Sequence, residues 1–288
     1  MYCLSLLYSN PVGVKRMIKS FLLSKGIELF ALVRLGDCKI TKKYLLERAR
    51  LSDNASVLVM LLPYRSENKP KNLSVYASVR DYHAYTDMLR AELKELINNH
   101  YNGATCELFA DHSPLDEVNL ACIAGLGFIG DNGLLITEKY SSFVFICELI
   151  IDLDASALGL EYTKDVSIKR CFGCKACMRA CPSNCMDESD PRPKSECLSA
   201  ITQKKGELTE AEKKLILENG SLWGCDICQN VCPYTKNAKY TPIEFFKKEV
   251  ITELSAELIS NMSDEEFLSR PFSWRGRGVI LRNLELQP

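Results

Sequence analysis

A length of 288 residues, with 47% hydrophobic and 25% charged residues, is that of an ordinary globular protein of about two domains. The formal net charge of −1 excludes a global positive field that would attract nucleic acid, so any RNA contact needs a local basic patch. Fourteen cysteines without a secretory signal predict a cytoplasmic location, and the longest apolar runs, near 55–63 and 143–151, are too short to span a bilayer.

The first part of the chain alternates helical and strand patterns, which predicts a sheet-and-helix domain. Apolar residues at helical spacing predict helices over residues 12–25, 41–50, 85–99 and 115–124. Short apolar runs predict buried strands over residues 27–35, 55–63 and 105–110. Two further strands, over residues 134–136 and 141–152, are predicted to pair as a hairpin joined by residues 137–140.

Asp111 follows the predicted strand 105–110 and opens the sequence Asp111-His112-Ser113. Adjacent residues cannot form a catalytic triad, because their side chains point in different directions, so we reject a hydrolase. Two interpretations of Asp111 remain open. It could form a turn before Pro114, or it could act as a general acid at the end of a strand, over a cofactor pocket closed by a glycine loop.

That glycine loop is the stretch GLGFIGDNG at residues 125–133, which formally contains G-x-G-x-x-G. The dinucleotide fingerprint must follow a strand and open a helix, whereas this stretch follows a helical pattern and opens a hairpin. We therefore reject a Rossmann nucleotide site. The stretch is interpreted as a tight loop whose backbone approaches a ligand or the sheet, since glycine permits close approach and positive φ.

Two cysteine runs dominate the second part of the chain. The first, from Cys171 to Pro182, has the spacing C-x2-C-x2-C-x3-C-P, and the second, from Cys225 to Pro233, has C-x2-C-x3-C-P. The first spacing is that of bacterial ferredoxins with two [4Fe–4S] clusters, in which the fourth cysteine ligates the other cluster. Zinc bound by cysteine pairs is the alternative, but zinc sites usually lack a triple cysteine followed by Cys-Pro.

The spacing assigns seven of the eight thiolates that two clusters require. One cluster is expected to be held by Cys171, Cys174, Cys177 and Cys232. The other is expected to be held by Cys225, Cys228 and Cys181, with an eighth ligand that spacing leaves open between Cys185 and Cys197.

The remaining elements are a turn at residues 190–193, a helix over 209–219, and helices over 242–259 and 264–268. The sequence near the end is locally basic, with no acidic residue between Arg270, Arg275, Arg277 and Arg282.

Over about residues 70–285 the assembled pattern closely resembles epoxyqueuosine reductases. The shared features are Tyr76-Ala77, Arg80-Asp81-Tyr82-His83, Asp111 with Ser113-Pro114, the stretch from Ala124 to Gly130, the two cysteine runs with Cys197, and the segment from Arg275 to Asn283. The resemblance implies an α+β chain that reduces epoxyqueuosine in the wobble position of tRNA to queuosine. It also implies a cobalamin-binding sheet-and-helix domain over 1–162, a double-cluster ferredoxin-like domain over 163–240 and a helical tail over 241–288.

The resemblance further implies individual roles. Asp111 matches the family's proton donor, and Cys197 matches the eighth cluster ligand, which leaves Cys185 as a spare thiol. Base-off cobalamin is expected to contact Asp111, Gly127, Asp131, Leu135, Ser199 and Asp226. A flavodoxin or ferredoxin is expected to supply electrons to a monomeric enzyme.

Three departures separate this sequence from the family, and one of them is an N-terminal domain shortened between Gly36 and Ser56. Members usually continue into helical repeats that help to grip tRNA, and this sequence stops at Pro288, so a short form is expected. The family usually has Trp and Lys in the glycine loop, where this chain has Phe128 and Asp131. The alternative function is a two-cluster electron-transfer protein without cobalamin that serves a partner enzyme.

Overall fold

The computed structural model describes residues 11–101, 103–164, 171–187 and 195–287, with the backbone alone for residues 11–16. Its strands are β1 (Leu29–Arg34), β2 (Ser56–Pro63), β3 (Cys106–Phe109), β4 (Phe128–Ile129), β5 (Leu135–Ile136) and β6 (Val144–Ile151). Four of them form one antiparallel sheet in the order β1-β2-β6-β3. The strand segments predicted for this sheet are confirmed.

The sheet is buried on both faces, which explains why its central strands read as continuous apolar runs. Every residue of β2 is buried. Its alternate residues belong to two different hydrophobic cores, with Leu58 and Met60 in one and Val57 and Val59 in the other. This alternation follows from the two-residue period of a strand.

Helices cover both faces of the sheet. The first helices are α1 (Pro11–Ser24), α2 (Lys43–Ala49), α3 (Val75–Ser78), α4 (Tyr82–His100), α5 (Glu117–Ile123) and α6 (Ala155–Leu158). On one face α1 and α4 contribute Leu22, Leu89 and Leu93 to the core. On the other face α2 and α5 contribute Leu46 and Leu120. The predicted α+β class is confirmed.

The predicted pairing of residues 134–136 with residues 141–152 is wrong. Strand β5 pairs instead with β4, with Phe128 opposite Ile136, while β6 lies between β2 and β3. The physical reason is that β6 is apolar enough to be buried at the centre of the sheet, so its partners come from elsewhere in the chain. The glycine stretch does form a hairpin, in which an added Cβ on Gly127 would lie 2.6 Å from the carbonyl oxygen of Ile136.

The second part of the chain consists of short helices. They are α7 (Ala176–Ala180), α8 (Leu198–Thr202), α9 (Glu210–Asn219), α10 (Ile227–Asn230), α11 (Ala256–Asn261), α12 (Asp264–Leu268) and α13 (Arg277–Glu285). The helices predicted over 209–219 and 264–268 are confirmed. A continuous helix over 242–259 is wrong, because only a 3-10 turn at Glu244–Lys247 and the start of α11 are helical, while Ile243 and Phe246 are buried in the first core of the sheet domain.

Backbone hydrogen bonds join the segment after α9 to the loop before α3. The Ser74 N–H donates to the Trp223 carbonyl over 2.8 Å, and the Leu222 N–H donates to the Asn72 carbonyl over 2.7 Å. Gly224 has φ +72°, and an added Cβ would lie only 2.1 Å from Ser74 Oγ. Glycine is therefore required where the two segments meet.

The predicted boundaries at residues 162 and 240 stay a prediction, as does the turn at 190–193, which lies outside the described residues. Within the described ranges, helices of the length and apolarity needed to cross a membrane do not occur.

Candidate functional site

Four cysteines that the spacing assigns to one cluster line a single small cavity. They are Cys171, Cys174, Cys177 and Cys232. Positive φ angles at Gly173 and Lys175 turn the first run back on itself before α7 begins. The rings of Phe172 and Tyr234, whose centroids are 5.7 Å apart, and the side chain of Ile136 form the apolar part of the wall, beside Asp131 and Asn132. A cavity lined by four cysteines and by apolar groups fits a [4Fe–4S] cluster.

The other five cysteines of this region form a second group. The Sγ atoms of Cys181 and Cys185 are 3.7 Å apart. Burial, together with the nearby charges of Cys197 and Cys181, raises the pKa of Cys225 to about 11. Burial also raises the pKa of Cys228 to about 12, with contributions from Cys225 and Cys197. Both candidates for the eighth ligand thus lie beside this group, and the choice of Cys197 stays a prediction.

Asp111 lies in an exposed loop after β3, in a conformation that residues other than glycine rarely adopt. Its φ is +63°, in the left-handed region. The Asp111 N–H donates to Glu117 Oε1 over 2.9 Å, and Glu117 stands in the first turn of α5. This hydrogen bond from the Asp111 backbone therefore holds the loop, and the Asp111 side chain is exposed.

A second carboxyl group, that of Glu148, supports the same loop from the sheet. Glu148 is buried in β6, and its Oε1 accepts a hydrogen bond from Ser113 Oγ. Burial raises the pKa of Glu148 well above its usual range, and the charge of Glu117 raises it further. Burial, together with the charge of Asp111, raises the pKa of Glu117 to about 7, although the hydrogen bond from the Asp111 N–H acts to lower it. Sequence reasoning missed both residues, although a lone acid within the apolar strand VFICELII is a signal for Glu148.

Aromatic rings connect the Asp111 loop to the second cysteine run. Burial raises the pKa of the Tyr82 hydroxyl, and the charges of Asp111 and Glu117 also raise it, so both carboxyl groups act on this hydroxyl. The Tyr82 ring stacks on Phe145 with centroids 4.2 Å apart, and Phe145 contacts Tyr64 at 4.4 Å. The pKa of Tyr64 is raised by burial and then by the charge of Asp226, which stands between the cysteines of the second run.

Asp226 joins the second cysteine run to the sheet domain. Its Oδ2 accepts from the Val75 N–H over 2.6 Å, and its Oδ1 accepts from Gln229 Nε2 over 2.8 Å. Burial raises its pKa to about 6. Its expected contact with cobalamin stays a prediction, and the structure gives it a positioning role within the chain.

Ser199 is linked to Tyr76 through Gln203. Gln203 Nε2 donates to Ser199 Oγ over 3.2 Å, and Gln203 also acts on the Tyr76 hydroxyl, whose pKa burial raises above its usual range. Tyr76 and Tyr82 are half-buried neighbours. The charge of Asp111 thus acts on Tyr82 and the charge of Asp226 on Tyr76, so two of the residues that the resemblance assigns to cobalamin influence this pair of tyrosines.

The other three residues that are expected to contact cobalamin belong to the β4–β5 hairpin. Leu135 is 4% exposed and packs in the second core, and Gly127 lies against it. Asp131 lines the cavity of the first cysteine group, with its Oδ2 3.4 Å from Lys175 Nζ. Contacts of these three residues with cobalamin stay predictions, and the structure brings Asp131 to a cluster site.

Three of the four arginines in the basic segment near the end of the chain donate hydrogen bonds to backbone carbonyls and so stabilise the fold. Arg270 donates to the Glu249 carbonyl, Arg277 to the Met262 carbonyl, and Arg282 to the carbonyls of Lys204 and Gly206. Arg275 differs, because its guanidinium lies 3.7 Å from the ring centroid of Trp274, which is 59% exposed.

Comparison with known proteins agrees with this arrangement. Residues 170–235 match the family of 4Fe-4S double cluster binding domains, which confirms the prediction of two [4Fe–4S] clusters over zinc. An epoxyqueuosine reductase from Leadbetterella byssophila is 33% identical over 240 residues, covering 78% of this chain and 76% of the relative. One from Lactococcus garvieae is 32% identical over 231 residues, covering 77% of this chain, which spans 62% of that relative's length.

A solved structure shows the same fold. It is a crystal structure of epoxyqueuosine reductase with an epoxyqueuosine-modified tRNA-Tyr stem loop. The TM-score is 0.75 at 23% identity, covering 96% of this chain and 81% of the other.

Proposed function

The chain belongs to the epoxyqueuosine reductase family, and we propose that it reduces the epoxide of epoxyqueuosine in tRNA to queuosine. The reduction removes the epoxide oxygen as water, which consumes two electrons and two protons. The two [4Fe–4S] clusters would carry the electrons, and base-off cobalamin would receive them.

One observation carries this proposal: a row of aromatic rings lies between the exposed carboxylate of Asp111 and the second cysteine run. Asp111 neighbours Tyr82, and the rings of Tyr82, Phe145 and Tyr64 continue to Asp226 between the cysteines. An electron-transfer protein would need the cysteines, but it would not need an acid held at the end of this row.

Cobalamin, when bound, would supply a strongly reducing cobalt centre beside the second cluster. Tyr76, Ser199 and Asp226 would hold it from the side of the cysteines, and Asp111 would face it from the sheet domain. The task of Asp111 is to deliver a proton to the epoxide oxygen as the carbon–oxygen bond breaks. Glu117 keeps the backbone of Asp111 in place for that transfer.

A basic groove of about 760 Å³ offers an entry for electrons. It is lined by Cys232 of the first group and Cys225 of the second, and by the cations Arg65, Lys69 and Lys236. An acidic flavodoxin or ferredoxin has the charge to dock there, because opposite charges steer the encounter of two proteins. The enzyme acts as a cytoplasmic monomer in this proposal.

The tRNA contact is assigned to the exposed pair of Trp274 and Arg275. A guanidinium stacked on an exposed indole presents both a positive charge and a flat apolar face. Unpaired RNA bases are commonly recognised by stacking on such groups. This pair supplies local positive charge, which RNA binding needs in a chain whose net charge is −1.

The test is to purify the protein without oxygen, reconstitute the clusters, and add cob(II)alamin. Iron, cobalt retained after desalting, and the EPR signal are then measured, followed by turnover of a tRNA stem loop that carries epoxyqueuosine. We expect stoichiometric cobalamin with a base-off signal, and conversion to queuosine.

Each other outcome has a clear meaning. A full iron content without retained cobalamin would overturn the proposal in favour of electron transfer to a partner enzyme. Retained cobalamin without conversion of the stem loop would overturn the substrate and leave a cobalamin-dependent reductase of another class.

A further inference from the structure

Asn283, near the end of α13, makes hydrogen bonds to two separate segments of the cysteine region. The residue is buried, with 0% of its surface exposed. Its Nδ2 donates to the Thr202 carbonyl over 2.8 Å and to the Leu222 carbonyl over 2.9 Å. One amide group therefore joins the end of α8 to the segment that leads into the second cysteine run.

The orientation of this amide is fixed by the preceding residue of the helix. Asn283 Oδ1 accepts hydrogen bonds from Arg282, over 3.1 Å from Nε and over 2.9 Å from Nη2. Arg282 Nη1 donates in turn to the carbonyls of Lys204 and Gly206, just beyond α8. A reversed amide would bring its oxygen against two carbonyl oxygens and its NH2 group against a guanidinium, so only one orientation satisfies every partner.

The Thr202 hydroxyl joins the same two segments a second time. Thr202 is also buried, and its Oγ1 donates to the Ser199 carbonyl over 2.9 Å and accepts from the Gly224 N–H over 2.9 Å. Asn283 and Thr202 are together called the α8 clamp below. Apolar side chains in their place would leave buried backbone groups without partners, which is costly.

Each segment held by the α8 clamp carries a cysteine of the second group. Cys197 is the residue immediately before α8, and Cys225 directly follows Gly224. Cys225 also packs against the small core that α8 forms with α9, to which α8 contributes Leu198 and Ile201. The α8 clamp therefore fixes the position of Cys197 relative to Cys225.

The second cluster depends on such contacts more than the first. The first cluster is expected to take three of its ligands from one short loop, residues 171–177. The second is expected to take its ligands from three segments that are distant in sequence, with Cys181, Cys197, and Cys225 with Cys228. Because a metal site needs its ligands in a fixed geometry, residues around the ligands must hold such segments together.

We propose that Asn283 is a positioning residue for the second [4Fe–4S] cluster, which makes α13 part of the cluster site. Asn283 holds Cys197 and Cys225 at the separation that one cluster requires, and Thr202 supports this arrangement from α8. The inference goes beyond the proposed function, because it concerns the assembly of a cluster whether or not cobalamin binds.

The experiment is to reconstitute the full-length protein without oxygen and without cobalamin, and to measure its iron content and its EPR spectrum after reduction with dithionite. Asn283→Leu keeps nearly the shape of the side chain but removes all of its hydrogen bonds. We expect the iron content to fall from about eight to about four atoms per chain. The EPR signal should change from that of two magnetically coupled clusters to that of a single cluster.

A second pair of variants tests the α8 clamp from its other side. Thr202→Val removes the hydroxyl and leaves the hydrogen bonds of Asn283 in place, whereas Thr202→Ser keeps the hydroxyl. We expect Thr202→Val to release the iron of one cluster to a chelator several-fold faster than the wild type. Thr202→Ser should release it at the wild-type rate.

Arg277→Gln is the matched control on the same helix. Arg277 donates to the carbonyls of Ile259 and Met262, so its loss loosens α13 on the side away from α8. This variant is expected to keep both clusters, even where thermal unfolding shows a lower Tm. In every variant the first cluster serves as an internal marker of a folded chain.

Full iron content with an unchanged EPR spectrum in Asn283→Leu would overturn the inference. Loss of one cluster in Arg277→Gln as well would also overturn it, since α13 would then act only through general stability. If Asn283→Leu loses both clusters, the Thr202 pair decides, and equal rates of iron release in Thr202→Val and Thr202→Ser would refute the α8 clamp. Because neither cobalamin nor tRNA is added, these results are independent of those that test the proposed function.

Discussion

Glu117 accepts a hydrogen bond from the backbone N–H of Asp111 over 2.9 Å, and this contact holds Asp111 at a φ of +63°. A strained backbone of this kind persists only where its surroundings fix it. The carboxyl group of Glu117 is thus a structural support for the proposed proton donor, six residues away in the sequence.

Removing that support should loosen the loop. In Glu117→Ala the Asp111 N–H loses its acceptor, and we expect faster amide exchange at residues 110–113 and turnover reduced by about tenfold or more, since small misplacements of a catalytic group are costly. Glu117→Gln keeps an acceptor oxygen and should retain most of the activity. Equal loss in both variants would show that the charge of Glu117, and not the hydrogen bond, is what matters.

Asp111→Asn should abolish most of the reduction while leaving the cofactors in place. The amide keeps the shape of the side chain but cannot donate a proton, and general acid catalysis contributes about 10²- to 10⁴-fold. Single-turnover rates on the modified stem loop measure the effect, with iron and cobalt content as the control. Normal turnover with intact cofactors would remove the proton-donor role.

The eighth cluster ligand can be decided by iron content. We expect Cys197→Ala to lose one cluster, about four iron atoms per chain, and Cys185→Ala to keep both. Cys185 remains a close control, because its sulfur lies 3.7 Å from that of Cys181. The reverse pattern would make Cys185 the ligand.

Stability should fall as pH rises through neutrality, because the pKa of Glu117 is raised from the usual 4.5 to about 7 by burial. A carboxyl group with a raised pKa contributes its full stability below the unfolded-state pKa and loses it as pH rises through the folded-state pKa. Glu117→Gln should match the wild type near pH 5 and exceed its Tm by about 2–4 °C near pH 8. Thermal unfolding at both pH values measures this, and Glu95→Gln, at an exposed position on α4, is the control that should behave as wild type.

Trp274→Ala should weaken the binding of the tRNA stem loop without affecting the fold, because the indole is 59% exposed. Loss of one stacked base costs about 1–3 kcal/mol, which corresponds to roughly 5- to 150-fold in Kd. Fluorescence anisotropy at several salt concentrations measures it, since phosphate contacts make binding salt-dependent. Leu268→Ala, which removes another exposed apolar side chain of this region, should bind as the wild type does.

The sequence predicted those features that depend on local spacing. The two cysteine runs encode their cluster ligands in gaps of two and three residues, and the strands of the sheet are visible as apolar runs such as Val57–Leu62. Pairing across the sheet depends on distant segments, so the partner of β5 was predicted wrongly.

The supports of the site also depend on distant segments. Glu148 reaches Ser113 from a strand 35 residues away. The acid within an apolar strand is visible in the sequence, but its partner is not. What could be predicted was Asp111 itself, because a turn residue at the end of a strand is a local feature.

The burial of Ile243 and Phe246 in the core of the sheet domain also bears on how such proteins can be recombined. The chain leaves the sheet, forms the cysteine region and then returns to complete the core that it began. A transplant that replaces residues 171–288 with a foreign ferredoxin would remove two buried side chains from the recipient sheet. A chimera that exchanges only residues 171–233, with Gly224 and its Ser74 contact retained, respects this interleaving and is the recombinant to build first.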